Sequence, residues 1–322
     1  MRGISYLADQ VREADVRRDL TVIREELLCD AVSLKANDAD RQLAAAAVAL
    51  ELGLDVWIEA QQENQRDGLE HLERVAVGAE RLRVHYPGRV TLLVGNEYSL
   101  LTRGIVPGSF TLARLWLILR AGPLLRRRIT RRLGRRLAAA RTVARAAFGG
   151  PVTYAAALWE HVDWTEFDVV AVNLYRIGPD AEAYAARVRA LVARSEKPVV
   201  ITEFGCGCFR GAELAGPGSF QVVNWFRSPP RVKAGLVRDE QVQARYLRDL
   251  LDVFDASGVH GSFVFTFVMP EFPHDPDPVR DLDMAGFGMV KVMADGWERK
   301  AAFEALRAAN ARPRSGPGRG SA

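Results

Sequence analysis

Two glutamates stand where apolar runs end. Leu93-Val94-Gly95-Asn96-Glu97 and Val200-Ile201-Thr202-Glu203-Phe204-Gly205 each lead a burial-grade stretch into a carboxylate. Burying a carboxylate is costly unless it is paired or hydrogen-bonded, so one at the end of a core strand usually has a task. Two such groups facing each other can work on a glycosidic bond. Hydrolysis with retention needs them roughly 5–5.5 Å apart, one attacking the anomeric carbon and the other protonating the leaving oxygen. Other polar residues sit at comparable places. Lys35 and Glu59 close the second and third apolar runs and either bind ligand hydroxyls or pair with each other. Trp159 and Glu160 follow the fifth run, where Trp159 either stacks on a ring face or packs in the core. His274 and Asp275 follow the eighth and are further candidates for ligand contact.

Eight apolar runs carry these residues: Gly3–Leu7, Ala31–Ala36, Asp55–Gln61, Val90–Glu97, Pro151–Leu158, Val169–Tyr175, Pro198–Phe204 and Ser262–Phe267. They are short, nearly continuous in hydrophobicity and rich in Val, Ile, Phe and Tyr, as parallel strands buried on both faces should be. Between them, Asp15–Leu28, Asp40–Leu52, Leu69–Arg83, Ala181–Ala193 and Arg238–Ala256 repeat apolar residues at spacings of three and four, the mark of amphipathic helices. Alternation of this kind implies a parallel sheet. Eight runs predict a single (β/α)8 TIM barrel, which fits within 322 residues. No GxGxxG turn follows the first run, which weighs against a dinucleotide-binding sheet. Long connections are expected after strands four, seven and eight, all on the C-terminal face. The barrel should span 1–311, and the Gly/Pro/Ser/Arg-rich 312–322 should be a disordered tail.

On these residues the chain resembles the clan A glycoside hydrolases. Asn96-Glu97 after strand four and Thr202-Glu203-Phe204-Gly205 on strand seven look like that clan's signature. The resemblance implies that Glu97 is the acid/base, Glu203 the nucleophile, Asn96 a contact to the sugar 2-hydroxyl, and Tyr175 a hydrogen-bond partner of the nucleophile. It also resembles actinobacterial barrel proteins labelled "abortive infection protein", through Gly150–Tyr154, the run from Val162 to Asp168, Thr202–Cys206, and His274–Pro278 with Asp281–Asp283. One departure stands out. Many members of the clan place a Trp on strand eight as a sugar platform, and this chain has Phe265 and Phe267. That argues against an ordinary polysaccharide substrate.

Composition narrows the field further. The net charge of +4 is uneven: Tyr98–Gly150 holds twelve Arg and no Lys, Asp or Glu, so the remainder carries 4 − 12 = −8. Within it, Arg120–Arg145 holds ten Arg and follows an apolar stretch with Trp116. This segment reads first as the solvated face of a helix, and second as a homo-oligomer or anionic-surface contact. It lacks the aromatic interleaving of RNA-binding motifs, so specific nucleic-acid recognition ranks last. Three cysteines (Cys29, Cys206 and Cys208) suit a reducing cytoplasm. Cys206-Gly207-Cys208 has no second Cys pair or spaced His beside it, so small residues in a sharp turn explain it better than a metal does. No run is long enough to span a membrane. The expectation is a retaining glycosidase-type enzyme acting on a small glycoside or sugar-like metabolite, without cofactor or metal. A cyclase or lyase of specialised metabolism, or a catalytically silent barrel docking a partner or membrane through its arginine-rich helix, are the alternatives.

Overall fold

All eight apolar runs form strands, with ends within three residues of those read from hydrophobicity. A computed structural model describes residues 1–60, 63–66 and 68–313. The strands are β1 (Arg2–Leu7), β2 (Ala31–Lys35), β3 (Asp55–Glu59), β4 (Val90–Asn96), β5 (Val152–Ala156), β6 (Val170–Asn173), β7 (Val199–Phe204) and β8 (Gly261–Val264). They close into a parallel barrel in the order β1-β8-β7-β6-β5-β4-β3-β2. The fold is therefore a (β/α)8 TIM barrel. The Gly/Pro-rich tail lies, from residue 314 onward, outside the described residues, as do Gln61 and Gln62 after β3.

The chain divides into two compact units, each with its own packing. One comprises Tyr6–Leu20 and Asp30–Leu174. It holds α2 (Ala39–Glu51), α3 (Leu69–His85), the short α4 (Tyr98–Leu101) and α5 (Thr111–Ala147). Asp38 caps α2, accepting from the Asp40 and Arg41 amides at 2.9 and 3.1 Å. Helices α2 and α3 approach closely because Gly78 has no side chain; a Cβ there would lie 2.2 Å from Leu43 Cδ1. After β4, α4 and the irregular residues 102–110 lead into α5, two helical segments within Thr111–Ala147. Its buried stripe, Ile129, Leu133, Leu137, Ala140 and Ala144, repeats at three and four, and the helix packs on α3 and β4. Ala121, two residues before Pro123, leaves helical geometry and kinks it. The fifth connection contains no helix. Asp163 accepts from the Thr165 amide (3.0 Å) and hydroxyl (2.7 Å), a turn that diverts Val162–Asp168 from helical geometry.

The other unit comprises Met1–Ser5, Thr21–Cys29 and Tyr175–Ala322. Here α6 (Ala181–Ala193) is capped by Asp180, while α7 (Glu240–Ser257) begins at Asp239 and stops at Gly258, whose φ of 74° suits glycine. Helix α7 packs on α8 (Ala301–Asn310), and Phe254 meets Phe204 of β7 edge-on at 4.9 Å.

Candidate active site

Both strand-end glutamates sit beside a register shift in their own strand. Along β4 and β5 the pairing runs Leu93↔Thr153 and then Asn96↔Ala155, so β4 contains one extra residue just before Glu97. Along β8 and β7 it runs Ser262↔Ile201 and then Val264↔Phe204, so β7 contains one extra residue around Glu203. A bulge of this kind bends a strand and re-aims the side chains at its end. Two glycines make room for the geometry. A Cβ on Gly95 would lie 2.3 Å from the Tyr98 ring, and one on Gly205 would lie 2.7 Å from the Phe265 carbonyl oxygen.

Glu97 adopts left-handed backbone geometry, with φ 38° and ψ 50°. For a residue with a Cβ this costs roughly 1–2 kcal/mol, so its surroundings must hold it there. The next two amides show how. Tyr98 N–H donates to the Tyr154 hydroxyl at 2.6 Å, and Ser99 N–H donates to Glu160 Oε1 at 2.8 Å. The Tyr154 hydroxyl in turn donates to Glu160 Oε2 at 2.8 Å, and the Ala157 amide adds a 3.0 Å bond to the same oxygen. Trp159 Nε1 completes the cluster by donating to Ser99 Oγ at 2.9 Å. Burial raises the Glu160 carboxyl above its ordinary range, opposed by these same donors. Glu160 and Trp159 thus brace the turn that presents Glu97.

Asn173, the last residue of β6, reaches the same place. Its Nδ2 donates to Glu97 Oε1 and to Asn96 Oδ1, both at 2.9 Å. It is buried, with 3% of its surface exposed. Sequence reasoning passed over it, although a polar residue closing an apolar strand was the available signal. Lys35 and Glu59 lie in register on β2 and β3 and form an ion pair. Gln42 steadies this edge by donating to the Leu34 and Glu59 carbonyls at 2.7 and 2.8 Å.

In the other unit, the Tyr175 hydroxyl donates to Glu203 Oε2 at 2.9 Å. An aromatic series extends from Tyr175: its ring and that of Phe265 both lie 6.2 Å from Phe287, and Phe287 stacks on Phe220 at 4.2 Å. Phe272 and Trp225 continue it. Phe220, Phe272 and Phe287 come from long connections whose course the sequence did not reveal. Phe265 is partly exposed, whereas Phe267 is fully buried against the edge of Trp297.

His274 and Asp275 lie in a polar cluster. His274 Nδ1 lies 3.0 Å from Asp281 Oδ1, and Asp275 accepts from the Asp277 amide at 2.8 Å. Arg238 ties the region together at 2.8 Å to each of Asp281, Asp283 and Glu240. Lys300, fully buried, donates to Asp283 Oδ1 at 3.2 Å and approaches Cys208 Sγ at 3.9 Å. Burial alone would lower the Lys300 amine, but the adjacent Asp283 carboxylate outweighs it and leaves it raised. Burial pushes the Cys208 thiol up to about 12 and the Cys206 thiol well above its usual range, so both are protonated. Among the described residues no group of three or more His, Cys, Asp or Glu is disposed to hold a metal ion.

Solved glycosidase barrels share this fold. A GH113 β-1,4-mannanase superposes at a TM-score of 0.59 with 15% identity, covering 96% of this chain and 97% of its own. The GH113 β-mannanase AaManA from Alicyclobacillus acidocaldarius, in complex with ManMIm, gives 0.57 and 16%, covering 96% of each chain. An FMN-binding β-glucuronidase from Facaelibacterium prausnitzii L2-6 gives 0.58 and 17%, covering 97% of this chain but 44% of that one. At such identities the likeness is one of fold. No family model and no curated protein matches the sequence.

Proposed function

We propose that the chain is a retaining glycoside hydrolase-like enzyme acting on a small glycoside or sugar-like metabolite. Glu203 attacks the anomeric carbon, the bond to the leaving oxygen breaks, and Glu97 delivers its proton to that oxygen. Glu97 then takes a proton from water, which displaces Glu203 and releases the sugar. Neither step calls for a metal or an organic cofactor. The observation that supports this reading is that each carboxylate ends a barrel strand and accepts a hydrogen bond from a polar side chain at or just past the end of strand six. Asn173 donates to Glu97, and Tyr175 donates to Glu203. The shared barrel fold of the mannanases and the β-glucuronidase supports the same class of chemistry.

The test compares Glu203→Gln and Glu97→Gln on activated aryl glycosides and on unactivated glycosides, with and without azide. Glu203→Gln should form no covalent intermediate on any substrate. Glu97→Gln should retain the first step on a nitrophenyl glycoside, accumulate the glycosyl-enzyme and be rescued by azide. Equal, unrescued loss in both variants would sink the assignment of roles. Absence of wild-type turnover on every glycoside would move the reading to a cyclase, a lyase or a silent binding barrel. A measured carboxyl separation of 6.5–9.5 Å would indicate inversion instead.

A further inference from the structure

Helix α5 presents a feature that the catalytic reading does not use. Its first turns carry Leu112, Trp116 and Leu119 at i, i+4 and i+7, which places them on one helical face. All three are more than half exposed. Phe110 immediately precedes them, and Leu124, 87% exposed, lies just beyond the kink at Ala121. The opposite face is locked down. Arg114 is fully buried and donates to the Leu100 and Gly108 carbonyls and to Asn64 Oδ1 at 2.5, 3.1 and 2.6 Å. The apolar stripe is therefore held outward and cannot roll into the core.

Charge lies directly beside it. The Arg120 guanidinium sits over Trp116, 5.6 Å from the ring centroid. Further along, Arg126, Arg127, Arg131 and Arg135 are exposed and meet no carboxylate among the described residues. Neighbouring arginines are already engaged: Arg128 donates to the Ile105 carbonyl at 2.9 Å, and Arg141 and Arg145 pair with Glu166 and Asp168. With no Asp or Glu between Tyr98 and Gly150, nothing local neutralises the exposed four.

We propose that α5 seats this protein on an anionic lipid bilayer, with Leu112, Trp116 and Leu119 entering the headgroup boundary and Arg126, Arg127, Arg131 and Arg135 facing lipid phosphates. An interfacial helix needs an apolar face bordered by basic residues, and Trp favours the boundary because its ring is apolar and its N–H polar. Nucleic acid would satisfy the arginines and leave the stripe in water. Among the described residues no helix is long and apolar enough to cross a membrane.

Flotation with phosphatidylcholine vesicles containing 30% phosphatidylserine, against phosphatidylcholine alone, tests this on the full chain. Wild type should float with the anionic vesicles only, and 0.5 M salt should weaken the association. Trp116→Asp/Leu119→Asp should abolish it. Replacing Arg126, Arg127, Arg131 and Arg135 with Gln should weaken it at least about 100-fold. Circular dichroism and melting confirm that each variant is folded. Failure of wild type to float at low salt overturns the proposal. So does full binding by the double Asp variant, which would mean charge attraction alone. Preferential capture by DNA or RNA oligonucleotides, or a dimer that the double Asp variant dissociates, would also overturn it by giving the face another occupant.

Discussion

Replacing Glu160 by glutamine probes how the turn after Glu97 is held. Donors converge on this buried carboxylate: the Ser99 amide on Oε1, the Ala157 amide and Tyr154 hydroxyl on Oε2, and the Ser99 hydroxyl beside them. Glutamine supplies one acceptor atom and one donor group. If its oxygen keeps Ala157 and Tyr154, its NH2 opposes the Ser99 amide; the other orientation strands two donors. The cheaper arrangement leaves one buried donor unsatisfied, at about 1–3 kcal/mol, and removes charge assistance from the Ala157 and Tyr154 bonds. A loss of about 2–4 kcal/mol follows. With an unfolding entropy of about 2.1 cal/mol/K per residue, the melting point falls by roughly 3–6 °C. Guanidinium unfolding between pH 4 and 8 provides the assay. Burial, the leading influence, raises the folded carboxyl above its ordinary value. The contribution of such a group is complete below the unfolded value of about 4.3 and is lost as pH rises through the folded value. Glutamine does not titrate, so the gap between wild type and variant should narrow as pH rises, by at most about 1.36 kcal/mol per unit. A gap below about 1 kcal/mol at pH 7, or one that widens with pH, would refute the reasoning.

Other perturbations test separate parts of the molecule. Tyr175→Phe removes the 2.9 Å bond to Glu203 and should lower kcat on aryl glycosides roughly 10-fold or more while leaving the melting point nearly unchanged; an unaltered kcat would detach Tyr175 from the chemistry. Lys300→Met strips a buried ammonium from Asp283 and should cost about 3–5 kcal/mol in guanidinium unfolding. Adding Asp283→Asn to that variant should restore part of the loss. A loss under about 1 kcal/mol in the single variant would show that Arg238 alone satisfies Asp283.

Much of this protein was legible from its sequence, for reasons that are local. Strand-length apolar runs and helices with three-and-four spacing are short-range patterns, and Asp38, Asp180 and Asp239 cap helices within a few residues of themselves. The positions of Glu97 and Glu203 at the ends of their runs follow from the same patterns. The rest depends on what a segment meets. A bulge exists only relative to a partner strand, so the extra residues before Glu97 and around Glu203 left no mark in their own runs. The hydrogen bonds that Glu160 accepts from Tyr154 and Ser99 were not legible, because those residues lie on other elements. The contacts of His274 with Asp281 and Arg238 likewise join residues far apart in sequence or on other elements. At Ala121, two residues before Pro123, two helical segments of α5 meet at a kink. Periodicity and capping act over a few residues and are written in the sequence. The partners that determine a buried polar group's role are brought together only by folding, because desolvation and hydrogen bonding act through space and take no account of chain order.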